Sequence, residues 1–316
     1  MSDMDQYLPL VDLNAPMRGM VCGTVVTSHH PDYAEGAIVS GLGLWADDQI
    51  GTPQTVHPMG DTRPVPVVEA FSTFAVVGPT ADFGLLDIGE PKEGETVVVS
   101  AAAGAVGSIV GQIAKIKGCR VVGLAGTYDK CAWIQDDLGF DVAINYRTAD
   151  VPKTLAAACP DGIDVYFDNV GGEILDACLQ LMHFKGRIPT CGLIAQYNAT
   201  APVPGPYHYA MILMQRLRVE GCIVLDFAAR YPEAIAALGQ WMAEGKIKVR
   251  TEIVDGLEHA LQTVKKLYTG ANTGTLMIRV NDVSRVHRKP MGSVSTEKAT
   301  LLRNFISFCH QRAVAA

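Results

Sequence analysis

Among the eight cysteines (Cys22, Cys119, Cys131, Cys159, Cys178, Cys191, Cys222 and Cys309) there is no Cys-x-x-Cys pair, and their scatter gives no zinc-ligand spacing. They read as reduced, mostly buried thiols of a cytoplasmic protein. Positive charge is not in excess: 26 Lys and Arg against 33 Asp and Glu leave a net charge of −7. That balance argues against a general nucleic-acid or anionic-membrane binder. No cationic, apolar segment of the secretion-signal kind opens the chain. The uncharged run from Thr96 to Ala114 approaches the length of a bilayer span, but its glycines and serines suit a strand, a turn and a helix better. His29 and His30 are adjacent, so they point apart in extended chain and read as a surface turn with Pro31 rather than a shared metal site. No repeat recurs at a fixed period. The 316 residues, 48% of them hydrophobic, are enough for about two domains.

The most informative stretch is Val97 to Lys130. Val97-Val98-Val99-Ser100 reads as a strand, Ala101 to Gly107 as a turn, Ser108 to Gly118 as a helix, and Arg120 to Leu124 as a second strand. In this order a glycine turn lets the backbone approach a pyrophosphate, and the unpaired amides and positive dipole end of the following helix face the anion. Ala102 takes the place of the first glycine of the usual Gly-x-Gly-x-x-Gly pattern, with Gly104 and Gly107 in the other two, and Gly111 one helical turn further allows close packing. The turn residues Ala103, Gly104, Ala105, Val106 and Gly107 are therefore the candidate phosphate cradle.

An acidic residue at the end of the second strand would bond the adenosine ribose and select NAD. Gly126 and Thr127 stand there instead, with Lys130 just beyond, which favours a phosphorylated ribose and hence NADPH. Asp129 beside Lys130 pulls the other way, and a solvated first-turn lysine is the alternative for Lys130. Strand and helix go on alternating through Val142–Asn145, Pro152–Ala158, Ile163–Phe167, Glu173–Met182 and Gly186–Cys191, then a strand at Arg218–Leu225 and a helix at Pro232–Ala243. Such alternation builds a parallel sheet. Before Val97, short apolar runs broken by Gly and Pro suit an antiparallel β module.

The run Gly84-Leu85-Leu86-Asp87-Ile88-Gly89-Glu90-Pro91-Lys92-Glu93-Gly94-Glu95-Thr96, the turn just described, Gly139-Phe140-Asp141-Val142, Asp168-Asn169-Val170-Gly171-Gly172 and Cys191 to Asn198 together resemble the zinc-independent medium-chain dehydrogenase/reductases. Within them the likeness is to the NADPH-dependent curcumin, alkenal double-bond and prostaglandin reductases, from about Met17 to Val280. The resemblance implies an α/β fold: a doubly wound parallel-sheet (Rossmann) domain plus a truncated GroES-like β-rich domain. The expected divisions are 1–80 for the first part of the substrate-side β domain, 81–245 for the NADP-binding domain, 246–283 for the return to the first, and 284–316 for a basic tail. It also implies a homodimer.

Carried over by matching position, Lys130 corresponds to the lysine on the 2′-phosphate, Tyr146 to a tyrosine on the adenosine phosphate, and Asn169 to an asparagine near the nicotinamide ribose. Cys191 and Gly192 correspond to the strand end passing the nicotinamide, Asn272 to a late asparagine on the cofactor, and Tyr197 to the tyrosine that donates a proton or binds the substrate carbonyl. Position alone agrees for Tyr197, which lies just past the carboxyl end of a parallel strand, although an amphipathic surface tyrosine would also fit there. Tyr207 and Tyr209 read either as cleft residues or as core aromatics. The implied reaction is NADPH-dependent hydride transfer to the carbon-carbon double bond of α,β-unsaturated ketones or aldehydes, with no metal required. The alternatives are a quinone reductase, or a cofactor-binding protein with little catalysis.

Three features depart from the family pattern. Relatives carry an earlier segment with an Asp-Pro-Tyr-Met-Arg-Gly motif, so the substrate-side sheet is expected to have unpaired edges. Asp82 stands where the family has tyrosine, either near the cleft or in solvent. The stretch Ser284–Ala316 carries a net +5, leaving −12 for the rest, and the apolar spacing of Leu301, Leu302, Phe305, Ile306 and Phe308 predicts a helix over Thr296–Val314.

Overall fold

The computed structural model describes residue 9, residues 11–280 and the backbone of residues 300–307. In chain order the elements are β1 (Arg18–Ser28), β2 (Ile38–Leu44), β3 (Asp48–Gly51), β4 (Val56–Pro58), α1 (Val67–Phe74), α2 (Val77–Phe83), β5 (Thr96–Val99), α3 (Ala105–Ile116), β6 (Arg120–Ala125), α4 (Tyr128–Ala132), β7 (Val142–Asn145), α5 (Val151–Ala158), β8 (Ile163–Phe167), α6 (Gly172–Leu181) and β9 (Met182–Thr190). There follow α7 (Ala210–Met214), β10 (Arg218–Gly221), α8 (Tyr231–Ala243), β11 (Thr251–Asp255), α9 (Ala260–Thr269), β12 (Thr275–Arg279) and β13 (Thr300–Ser307). The chain divides into two compact units, one made of Val76–Arg250 and Asn272–Gly274, the other of the chain up to Ala75, Thr251–Ala271 and the residues from Thr275 onward.

The first unit holds a six-stranded parallel sheet in the order β10-β9-β8-β5-β6-β7. This is the order of a doubly wound nucleotide-binding sheet, whose direction of winding reverses between β5 and β8. The central strand β5 is Thr-Val-Val-Val with every residue buried, as expected where helices cover both faces of a sheet. Val98, Val122, Leu124, Ile144, Leu155 and Tyr166 form part of one apolar core here. Burying each such side chain stabilises by about 1.5–3 kcal/mol, and this outweighs the roughly 1 kcal/mol of any one helix cap. Caps still mark the helix starts: Thr127 Oγ1 accepts from Lys130 N at 3.3 Å, and Asp150 Oδ1 from Lys153 N at 3.2 Å. Gly111 has a more specific purpose than helix-to-sheet closeness, because a Cβ there would lie 1.8 Å from the Phe140 ring. The bare turn of α3 is the socket for that ring.

The second unit holds a seven-stranded sheet ordered β11-β12-β13-β1-β2-β4, with β3 on β13. The tail reading is overturned over Thr300–Ser307, which forms a strand instead of a helix. Along its length β13 pairs antiparallel with β1, from Met20↔Ser307 to Ser28↔Thr300. On its other side it pairs with β3 (Thr300↔Gly51 to Arg303↔Asp48) and with β12 (Met277↔Ser307 to Arg279↔Phe305). A short isolated helix is marginal in water, whereas pairing on both sides satisfies the backbone of the segment. In consequence β1 is not an edge: β2 lies on its other side. The remainder of the predicted tail helix lies outside the described residues. The β reading of everything before Val97 also fails from Val67 onward, where α1, α2 and a π-helical turn at Gly84–Gly89 form. At the other end, the strand expected over Arg218–Leu225 stops at Gly221, and Val224–Arg230 is 3-10 helical.

Six cysteines (Cys22, Cys119, Cys131, Cys159, Cys178 and Cys222) are buried free thiols, while Cys191 is half-buried. Asp82 is not solvated: it lies in α2 at 7% exposure, with Oδ1 buried and meeting no donor among the described residues. Next to it Phe83 stacks on Phe227 at 4.8 Å, and Arg230, paired with Asp87, covers the Phe83 ring at 5.0 Å. Burial pushes the Asp82 carboxyl up to about 6, Asp87 adding to the shift and Lys117 and Arg230 opposing it. A group raised in the folded state contributes its stability below its unfolded value and loses it as pH rises through the folded value. The penalty is therefore complete above about pH 6 and amounts to on the order of 2–3 kcal/mol. We expect Asp82→Asn to gain several degrees of Tm over the parent at pH 8 and much less at pH 4.5, measured by differential scanning fluorimetry. A gain equal at both pH values would contradict the buried, ionising carboxylate.

Candidate active site

The candidate residues of the first unit lie at the carboxyl ends of its parallel strands, where open α/β sheets bind ligands. The turn after β5 is tight. Ala101 adopts a left-handed φ of 48°, a conformation costing an alanine about 1–2 kcal/mol. The turn closes through Gly104 N to Ala101 O at 2.9 Å, and is tied to β6 by Ala102 N to Leu124 O at 3.0 Å. Gly107 is required by this geometry, since a Cβ there would meet the Ala101 carbonyl oxygen at 2.4 Å. Gly104 caps α3, and the first ladder bond of the helix is Ser108 N to Gly104 O at 3.1 Å. The amides of Ala105, Val106 and Gly107 precede that ladder, at the positive end of the helix dipole.

One end of the site is basic. At the end of β6, Gly126 is buried, and a Cβ on it would stand 3.0 Å from the Tyr146 hydroxyl and 3.3 Å from Arg147 Nε. Tyr146 and Arg147 follow β7, whose last residue Asn145 accepts the Arg147 amide at 3.2 Å, and the guanidinium lies 6.0 Å from the Tyr146 ring centre. The Lys130 ammonium donates to the carbonyl of Asn272. The segment carrying Asn272 is in turn held against the phosphate turn, by Gly274 N to Ala103 O at 2.8 Å and a bridge between Gly104 and Gly274. Tyr146 and the basic Arg147 thus flank the Gly126 backbone, and a second cation, Lys130, follows in α4. Asp129 is exposed. Sequence reasoning stopped at Tyr146 and missed Arg147; the available signal was a second cation at the next strand end.

The other end lies at β8 and β9. Asn169 is anchored to the end of β5, its amide donating to Ser100 Oγ at 2.9 Å and its side-chain Nδ2 to Ser100 O at 2.8 Å. Cys191 N and Gly192 N both donate to Asp168 O, at 2.8 and 3.1 Å. A Cβ on Gly192 would lie 3.0 Å from the Asn169 carbonyl oxygen and 3.6 Å from the Tyr197 hydroxyl, so these three residues are brought together. The half-buried Tyr197 follows a 3-10 turn at Ile194–Gln196, and its hydroxyl accepts from Leu193 N at 3.4 Å. Accepting a bond strengthens a hydroxyl as a donor. Tyr207 and Tyr209 are not core aromatics: they are 89% and 67% exposed, and Tyr207 rests edge-on against His208. Among the described residues no group of three or more His, Cys, Asp or Glu is gathered as a metal site needs.

The model of the family described as zinc-binding dehydrogenase matches residues 105–240, and that of the N-terminal domain of oxidoreductase matches residues 1–59. The chain is 46% identical over 285 residues to the NADPH-dependent curcumin reductase of Escherichia coli (strain K12), spanning 89% of this chain and 82% of that protein. It is 42% identical over 267 residues to prostaglandin reductase 1 of Mus musculus, spanning 83% and 81%. Among solved structures, CurA from Vibrio vulnificus in complex with NADPH superposes with a TM-score of 0.83 at 41% identity, covering 89% of this chain and 85% of that one. With the doubly wound sheet, the glycine turn and these relatives together, the chain belongs to the medium-chain dehydrogenase/reductase family, in the group of the curcumin and prostaglandin reductases.

Proposed function

We propose that the protein is an NADPH-dependent reductase that transfers hydride to the carbon-carbon double bond of α,β-unsaturated ketones or aldehydes. The observation that carries this reading is the grouping of Asn169, Gly192 and the Tyr197 hydroxyl at two neighbouring strand ends of the sheet that also bears the phosphate turn. The relatives named as curcumin and prostaglandin reductases, and a neighbour solved with NADPH, support it.

The residues present fit NADPH. Gly107 lets α3 begin directly against the Ala101 carbonyl, and the amides of Ala105, Val106 and Gly107 at that helix start would receive a pyrophosphate. Lys130 and Arg147, with Tyr146 and the bare Gly126 backbone, would receive a phosphorylated ribose. Asn169, Cys191, Gly192 and Asn272 would border the rest of the cofactor. When bound, NADPH supplies the hydride. The Tyr197 hydroxyl donates a hydrogen bond to the substrate oxygen, which gains negative charge as the β-carbon is reduced and the enolate forms. A neutral, oriented donor suffices for this step, so the proposal calls for no metal.

Loss of NADPH absorbance with a medium-chain enal, curcumin and a quinone tests the reading: faster turnover of the enal or curcumin than of the quinone supports it, and bound NADPH without turnover on any of them overturns it. Tyr197→Phe should lower kcat on the enal by roughly 10²-fold, the usual scale for one lost donor to a developing oxyanion, with the NADPH Kd unchanged. Intact turnover would remove the donor role. Lys130→Ala and Arg147→Ala should each raise the KM for NADPH about tenfold or less, an exposed charge-assisted contact being weaker than a buried one, and leave the KM for NADH unchanged.

We infer also that the protein is a cytoplasmic homodimer. Two features support the dimer: β10 is an edge strand with all four residues exposed, and Leu213, Met214 and Val219 beside or on it are 78%, 60% and 45% exposed. An unpaired edge flanked by apolar side chains favours a second copy. The buried free thiols suit a reducing compartment. Sedimentation velocity should give a dimer that Val219→Asp shifts toward monomer; a parent that sediments as a monomer would exclude it.

A further inference from the structure

One buried residue links the three strand ends that carry the reacting side of the site, through its carboxylate at β5 and β8 and through its backbone at β9, and it is neither the proposed oxygen donor nor one of the cofactor-binding residues. Asp168 is fully buried directly after β8. Its Oδ1 accepts from Gly171 N at 2.7 Å, Tyr166 Oη at 2.8 Å, Val170 N at 2.9 Å and Ser100 Oγ at 3.4 Å. Its Oδ2 is buried and meets no donor among the described residues. Its backbone joins the neighbouring strand end as well, the carbonyl taking Cys191 N and Gly192 N and the amide donating to Pro189 O at 2.9 Å. Ser100, at the end of β5, holds both the amide and the side chain of Asn169.

This arrangement is more than a satisfied core polar group. The loop it grips passes through Gly171 and Gly172, with φ of 70° and 58°, and glycines in left-handed conformations have no side chains to fix their course. Burying a carboxylate is costly, and a loop of this kind is fixed only where donors converge on one acceptor. Here two loop amides, a phenol and a serine hydroxyl all meet the same oxygen. Burial pushes the Asp168 carboxyl up, while the Gly171 and Val170 amides and the two hydroxyls pull it back.

We infer that the Asp168 carboxylate, braced by Tyr166 and Ser100, is the positioning group that holds Asn169 and the Val170-Gly171 loop in register for hydride transfer, while its backbone keeps the Cys191-Gly192 strand end alongside. It touches neither substrate nor cofactor and acts through these neighbours. The inference rests on the reductase reading above. Removing the brace should leave the phosphate turn and the basic end intact, so that NADPH is still held while its reactive end is misplaced. Misplacement on the ångström scale is enough to slow a reaction by up to about 10²-fold.

The test compares Tyr166→Phe, Ser100→Ala, Asp168→Asn and Asp168→Ala in the full chain, reading Tm, NADPH Kd, kcat, and the emission of the bound nicotinamide. We expect Asp168→Ala to lower kcat most, Asp168→Asn to restore part of it because an amide oxygen still accepts from Val170 and Gly171, and Tyr166→Phe to lower kcat roughly tenfold. NADPH Kd should stay within about twofold throughout, while nicotinamide emission changes in step with kcat. If Asp168→Ala does not fold, Tyr166→Phe, which removes one hydroxyl from a retained ring, carries the comparison. Unchanged kcat and emission in the folded variants would overturn the inference, as would a joint fall of Tm, NADPH affinity and kcat that reveals a merely structural role. A parent protein that binds NADPH but reduces no enone would instead overturn the reductase reading, and the emission of the bound nicotinamide would still report whether Asp168 positions it.

Discussion

The nucleotide-binding unit depends on a steric constraint at the end of β5. Ala101 accepts a left-handed conformation, and its carbonyl points where any side chain on residue 107 would stand. Only glycine at 107 lets α3 begin there, and only with α3 beginning there do the amides of Ala105 to Gly107 come to the end of the strand. The strain at Ala101 persists because Ala102 is bonded to β6 and because burial of α3 through Ile109, Val110 and Ile113 is worth several times that cost.

From that turn the two ends of the site follow different physical rules. The residues proposed for the adenosine side are the side-chain cations Lys130 in α4 and Arg147 after β7, half-buried and exposed, whose selectivity in that reading would come from charge. Such contacts would discriminate a phosphorylated ribose but fix little geometry. The residues at β8 and β9 are held almost wholly by backbone hydrogen bonds and by the buried Asp168 carboxylate, a dense network with few charged side chains. In the proposed reading affinity and positioning fall to separate parts of one sheet, as hydride chemistry requires of a group that must be bound tightly and aimed accurately.

What was legible in the sequence was what local chemistry determines. The β5-turn-α3-β6 unit could be read because β-branched residues, glycines and a helical period coincide within thirty residues or so, and the strand alternation beyond it followed from the same periodicity. The position of Tyr197 past a strand end was also readable. The network around Asp168 was not, since Ser100 and Asp168 are 68 positions apart and only the parallel β5-β8 pairing brings them together. Residues 300–307 deceived for the same reason: their apolar spacing suits a helix, but the partners that make them a strand lie near the start of the chain. The burial of Asp82, left open between cleft and solvent, was not legible because its surroundings, Phe83, Phe227 and Arg230, are assembled from α2 and the chain just before α8.

The buried carboxylates Asp82 and Asp168 show how context separates liability from device. Both are withdrawn from water and both are raised for that reason first. Asp82, in a helix, meets two acidic neighbours, Asp87 and Glu233, so its ionised form is a net cost. Asp168, although its Oδ2 likewise meets no donor among the described residues, gathers two amides and two hydroxyls from two stretches of chain on its other oxygen, the β8 end with its loop and Ser100 after β5, so the same burial becomes the means by which those stretches are aligned. The difference lies in the number and origin of donors, and a donor drawn from the neighbouring β5 end, added to those of the loop itself, makes a buried charge useful to a site built where those ends meet.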